Sequence, residues 1–189
     1  KIVKDLRFFE KNFGGIMPLE VVVDTKKKNG YTKTRNLEKI EKLEFFLDSL
    51  SEVTKPISIV SFTKALNQAF WGDSSYYRLP QSQGERLNIA KYSKKFLKGT
   101  DGGSAQQMAR SFIDSTGRTV RISMKVADLG SVKMKELIEE KIKPRIATIF
   151  NDSTITARVT GTTPNFVKGN YYLITNLQQS IVIAFIFIA

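Results

Sequence analysis

The chain contains no cysteine and no histidine among its 189 residues. Without cysteine there is no disulfide framework and no thiol chemistry. Without histidine, the usual metal ligand and the usual general base near neutral pH are both gone. Zinc sites and Ser-His-Asp triads are therefore excluded, and neither a cofactor nor a metal is expected. Acidic residues are also sparse: 18 Asp and Glu face 30 Lys and Arg, a formal charge of +12. A phosphate-binding glycine loop is missing too. Gly99-Thr100-Asp101-Gly102-Gly103 follows a predicted helix rather than a strand and lacks the Gly-Lys-Ser/Thr ending. No apolar run follows the basic start at Lys1, so no signal peptide is expected within the chain.

Apolar residues make up 41% of the chain, a globular composition of a length that suits one domain with a sizeable insertion. The basic excess permits nucleic acid, anionic headgroups or an acidic partner, and equally a solvated basic surface. Much of it sits in Lys26, Lys27 and Lys28 and in Lys91, Lys94, Lys95 and Lys98, at predicted loop or helix-face positions.

The C-terminus is the most apolar stretch, Ile181 to Ala189. At ~1.5 Å per residue it extends roughly 14 Å, about half of a membrane span. The expectation is a transmembrane helix cut short at Ala189. The competing reading is a buried C-terminal strand, because Ile and Val favour strands. Such a tail also leaves a homo-oligomer open.

Periodicity sets out the remaining elements. A short basic, aromatic helix with Phe8, Phe9 and Phe13 is expected to end at Gly14-Gly15. Pro18 then opens a strand over 19–25, with Leu19, Val21 and Val23 on one face. Asn36 is read as the cap of a helix whose Leu37, Ile40, Leu43, Leu47 and Leu50 recur at helical spacing. A second helix passes through Ala65, Leu66, Ala69 and Phe70, residues 72–88 read as loop, and a short helix covers 87–97. Strands over 107–114 and 119–128 flank the turn Ser115-Thr116-Gly117-Arg118, with Val120, Ile122, Met124 and Val126 alternating. Ser131 is read as capping a helix striped by Leu137, Ile138, Ile142, Ile146 and Ile149, which Pro144 should kink. A last strand covers 154–161, followed by a helix over 165–189. Without the insertion at about 60–105 the order is βαββαβ. That predicts an α+β ferredoxin-like sandwich, a four-stranded antiparallel sheet with its helices on one face.

Candidate chemistry is thin. Glu38/Glu41 and Glu139/Glu140 have Lys39, Lys42 and Lys141 as neighbours, which suggests pairing on helix surfaces rather than a catalytic cleft. Phe70, Trp71, Tyr76 and Tyr77 gather at the edge of the insertion. They read either as a lining for a hydrophobic substrate or as a satellite core under a long loop. A sheet of this kind also carries RNA when its strands present aromatics. Here Arg110, Phe112, Arg121 and Lys125 offer a single aromatic, so nucleic acid is the rival reading and not the expected partner.

Two stretches carry a family resemblance. Asp5-Leu6-Arg7-Phe8-Phe9-Glu10 leading into Phe13-Gly14-Gly15-Ile16-Met17-Pro18-Leu19-Glu20-Val21-Val22-Val23-Asp24 is similar to the segment after the first transmembrane helix of resistance-nodulation-division (RND) permeases. The branch it resembles is the MMPL exporters, related to Patched and Dispatched. Arg158-Val159-Thr160-Gly161-Thr162-Thr163-Pro164 resembles the approach to the second transmembrane helix. The likeness runs along nearly the whole chain and is weakest over 60–105. It implies a juxtamembrane segment over 1–17, a porter domain over 18–164 and the start of the second transmembrane helix over 165–189. It implies a domain on the periplasmic side of a bacterial cytoplasmic membrane, with a second porter domain in the same protein. The path would serve lipids or other hydrophobic molecules and be driven by protons through acidic residues in membrane helices outside this chain. Gly14, Gly15 and Pro18 match the motif, with backbone geometry as their implied role.

Overall fold

A computed structural model describes Phe8, residues 15–99 and residues 103–188. The expected aromatic helix with Phe8, Phe9 and Phe13 and its end at Gly14 fall, apart from Phe8, outside the described residues. Strand β1, Met17–Asp24, is central and pairs antiparallel with both β2, Thr119–Val126, and β3, Thr156–Thr160. The sheet order among the described residues is β2-β1-β3. In register, Leu19 faces Met124, Val21 faces Ile122 and Val23 faces Val120, so the apolar residues of both strands share one face. That alternation follows from the period of two along a strand.

Helix α1, Thr34–Asp48, packs its stripe of Leu37, Ile40, Leu43 and Leu47 into the same core. Lys33 precedes α1 without a side-chain cap. Asn36 lies inside the helix and donates from Nδ2 to the Gly30 carbonyl at 2.8 Å, so its expected capping role is corrected. Among the described residues the insertion holds three α-helices: α2, Ile59–Trp71, α3, Gln83–Lys98, and α4, Gly103–Arg110. Ser58 caps α2, accepting from the Val60 N–H at 3.0 Å.

After β2 comes a long helical stretch in three parts: α5, Gly130–Glu136, a π turn, Leu137–Ile142, and α6, Lys143–Ile149. Its Met134, Leu137, Ile138, Ile142 and Ile146 are buried in the common core. The π turn lies immediately before Pro144, which has no N–H to give and would crowd a regular turn; the wider turn accommodates it. Ser131 is not the cap expected of it. Its Oγ accepts from Asn170 Nδ2 at 3.0 Å, and Asp128 Oδ1 accepts from the Gly130 N–H instead.

The expected four-stranded sheet is corrected to three strands among the described residues. The stretch read as a strand over 107–114 is the end of α4 followed by a turn. Gln106-Gln107-Met108-Ala109-Arg110 are all good helix formers, and that local preference prevails over the hairpin signal of the turn. The outer edge of β2 is still occupied. Ile57 exchanges both backbone hydrogen bonds with Ser123 at 2.9 Å, and Thr54 N–H donates to the Lys125 carbonyl at 2.8 Å. Arg121 N–H donates to the Phe112 carbonyl at 2.9 Å and Asp114 N–H to that of Thr119 at 3.1 Å. Two irregular segments thus satisfy the backbone groups that a fourth strand would have met.

The charge pairs differ from the pairing expected on helix surfaces. Lys39 reaches Asp152 at 2.6 Å, Lys64 reaches Glu41 at 2.7 Å and Lys141 reaches Glu52 at 2.8 Å, each across elements. Among the described residues only Glu139–Lys143, at 2.6 Å, joins neighbours on one helical stretch.

Candidate functional site

Helix α7, Thr162–Ile188, is the dominant feature outside the core. Its 27 residues reach ~40 Å at ~1.5 Å per residue. After Lys168 it carries no charged side chain, and the run from Gly169 to Ile188 reaches about 30 Å, the thickness of a bilayer core. Only the root is anchored: Thr163, Pro164 and Val167 are buried, while Leu173, Ile174, Leu177 and Ile181 through Ile188 stand exposed. The short apolar run of the sequence is thus the end of a longer helix, and the buried-strand reading is corrected. Asn176, Gln178, Gln179 and Ser180 are polar positions within that helix. Among the described residues this one helix is long and apolar enough to cross a membrane. An exposed apolar surface of this extent on a soluble monomer marks an interaction surface.

The root of α7 adjoins the start of β1. Thr163 Oγ1 donates to the Pro18 carbonyl at 2.6 Å. Pro18 lies beyond the end of the β1–β3 ladder, which begins at Glu20–Thr160, so its missing N–H costs no ladder bond. Two glycines make the close approach possible. Gly161 turns into α7 with φ +110°, and a Cβ there would lie 3.3 Å from the Pro18 carbonyl oxygen. Gly15 has φ +148°, and a Cβ there would lie 2.7 Å from the Val126 carbonyl carbon and oxygen. Gly15 thus permits a close backbone approach and Pro18 sits where no ladder bond is lost, whereas Gly14 lies outside the described residues.

The aromatic residues of the insertion are partly united. Trp71 stacks on Tyr76 with centroids 5.2 Å apart, and Phe70 meets Trp71 edge-on at 5.3 Å. Tyr92 from α3 joins at 5.9 Å from Phe70, and the Arg78 guanidinium lies 4.9 Å over the Tyr76 ring. Tyr77 turns away and lines a different cavity. The loop is ordered from beneath: buried Asn67 donates from Nδ2 to the carbonyls of Tyr76 and Arg78, each at 3.0 Å. Trp71 remains 44% exposed, so the group is an open surface cluster rather than an enclosed pocket. Tyr92 and Asn67 were not singled out in the sequence. Their signal lies in the helical spacing of α2 and α3, which gave no hint of mutual contact.

The cavity at Tyr77 measures about 560 Å³ and is also lined by Glu41, Glu44, Lys64 and Arg145. Glu44 is 9% exposed, and its Oε1 has no hydrogen-bond partner. Burial pushes its carboxyl up to about 7; Glu41 and Asp48 add to the rise, while a Ser58 hydrogen bond and Lys64 oppose it. Its position among Ile40, Leu43 and Leu47 on the buried stripe is the sequence signal that could have found it. Elsewhere Arg118 holds the Asp24 carboxyl at about 2 through a bidentate pair at 2.7 and 2.6 Å.

A second groove lies where α7 leaves the domain. It measures about 350 Å³ and runs between the π turn and α7. Lys135, Lys143 and Lys168 border it together with Tyr171 and Tyr172.

The rival nucleic-acid surface does not assemble. Phe112 is buried against Phe62, its ring 5.6 Å away. Arg121 lies over Phe112 and pairs with Glu20 at 3.2 Å. Arg110 donates to the carbonyls of Leu97 and Gly99. No aromatic of this set is left to stack on a base. Among the described residues no cluster of three or more Asp, Glu, Cys or His side chains is placed to hold a metal ion. Comparison of the chain with protein-family models, curated proteins and solved structures found no match.

Proposed function

We propose that the chain is the extracytoplasmic porter domain of a proton-driven RND-type exporter of hydrophobic or lipid-like molecules. The observation that carries this reading is the bond from Thr163 to Pro18 at the root of α7. It sets the entry to the central strand beside the start of an exposed apolar helix of spanning length. A domain inserted between two membrane helices needs both ends at the same face. The sheet supports the same reading. The order β2-β1-β3 is that of a ferredoxin-like sheet whose second strand is replaced by the segments 53–57 and 112–114 along β2.

In this reading α7 enters the cytoplasmic membrane of a bacterium, and the sheet and insertion lie on the periplasmic side. The domain works by binding and gating rather than by bond chemistry. Helix α7 contains no acidic residue, so the proton path belongs to other membrane helices of the transporter. The exposed aromatic cluster at Phe70, Trp71 and Tyr76 is the surface offered to a hydrophobic substrate or to a second porter domain of the same protein.

The absence of cysteine provides a direct test. Ser153→Cys adds one thiol to this cysteine-free chain, on an exposed loop. In intact cells expressing the full gene product, a membrane-impermeant maleimide should label it above the level of the unsubstituted protein. Labelling only after the cells are lysed would place the domain in the cytoplasm and end the exporter reading.

A further inference from the structure

We propose that the groove between the π turn and α7 holds the phosphate headgroup of an anionic phospholipid from the bilayer that α7 enters. The inference rests on the membrane reading of α7. Its floor is apolar, made by Ile138, Pro164 and Val167, all buried. Its rim carries three lysines, Lys135, Lys143 and Lys168, against one carboxylate, Glu139. Glu139 is already engaged by Lys143 at 2.6 and 2.7 Å, which leaves the rim with surplus positive charge.

The level of the groove along α7 matches a headgroup. Lys168 is the last charge on the helix, and Tyr171 and Tyr172 follow one turn later, where the uncharged run begins. Tyrosines and lysines in that order mark the membrane interface. Lys135 Nζ sits 3.8 Å from the Tyr171 ring centroid, so α5 contributes its cation at the same height. A cavity of about 350 Å³ falls within the roughly 300–1,000 Å³ of small-ligand sites. A phosphate above, with an acyl chain descending along exposed Leu173 and Ile174, satisfies both the basic rim and the apolar helix below it. A rim of surplus positive charge at this level attracts an anionic headgroup electrostatically.

The basic chain as a whole attracts anionic lipid unspecifically, so the test must separate one site from general charge. The full chain is first floated with neutral phosphatidylcholine vesicles, then examined by native mass spectrometry after mixing with phosphatidylglycerol or phosphatidylcholine. Flotation, with one phosphatidylglycerol retained in preference to phosphatidylcholine, is the expected result. Lys135→Ala with Lys143→Ala should weaken retention about 25-fold, at about fivefold per lysine. The matched pair Lys91→Ala with Lys94→Ala on α3 should leave it within about twofold, since these exposed lysines lie outside the groove. Arginine at both groove positions should restore binding and shows that a lost fold is not the cause. Equal retention of the two lipids, or equal harm from the control pair, overturns the headgroup site and leaves the membrane reading standing. Failure to float with neutral vesicles overturns that reading and the site with it.

Discussion

Thr163 and Pro18, 145 positions apart in sequence, are joined by one hydrogen bond of 2.6 Å. The bond links the central strand to the first turn of the apolar helix, at the point where Gly161 reverses the chain.

Replacing this hydroxyl isosterically tests how much the junction depends on it. Thr163→Val should cost about 1 kcal/mol, the net worth of a typical hydrogen bond. For a domain of this length that lowers Tm by about 2–4 °C. Thermal unfolding followed by circular dichroism checks it; a shift below 1 °C would mean water replaces the hydroxyl at no cost.

Glu44 should give the protein a stability term that falls as pH rises. Its folded carboxyl titrates at about 7, above the ordinary value of 4.5. The contribution of the protonated form is therefore complete below pH ~4.5 and is lost as pH rises through ~7. The full difference amounts to up to about 3 kcal/mol. Glu44→Gln removes the titration and should be more stable than the natural chain at pH 8, with the gap closing toward pH 5. Urea unfolding across that range measures it. A gap independent of pH would show that Glu44 ionises freely.

The aromatic cluster makes opposite predictions for its two readings. As packing, Trp71 and Tyr76 should show a coupling of about 1 kcal/mol in a double-mutant cycle, the size expected of a stacked pair. As the substrate surface of the proposed exporter, Trp71→Ala in the full gene product should also raise the retention of a lipophilic fluorescent dye by cells, with expression unchanged. Coupling without any change in dye retention assigns the cluster to packing alone.

The exposed length of α7 should govern association. The full chain is expected to bind detergent or self-associate. A chain ending at Asn170, which keeps buried Thr163, Pro164 and Val167, should run as a monomer in size-exclusion chromatography with light scattering. It should also lose flotation while keeping its melting temperature. Unchanged association would mean that the apolar face of α7 is not the adhesive surface.

The elements with regular periods were legible. Leu19, Val21 and Val23 on β1, the alternation of β2 and the stripe of α1 follow from which side chains must be buried together. Less regular elements were not. The stretch 107–114 carries both a turn signal at its end and helix-forming residues within it, and the helix prevails up to Arg110. The edge of β2 is then filled by residues 53–57, which make two isolated bridges around Pro56 instead of a regular ladder and so carry no strand period. The partners of Lys39 and Lys141 were misassigned for a similar reason. Helix neighbours are visible in sequence, but partners such as Asp152 and Glu52 come from other elements.

The sequence alone determined the absence of thiol and imidazole chemistry, the basic surface, the mixed α and β character and the apolar end of the chain. Each depends on residue type or on spacing within one element. The tertiary structure decided the rest: the three-strand order, the contact of Thr163 with Pro18, the isolation of Glu44, and the meeting of Lys135 with Tyr171 at the root of α7. These are relations between residues far apart in the chain. They are set by how elements stack to bury a common core, and no local pattern encodes that distance.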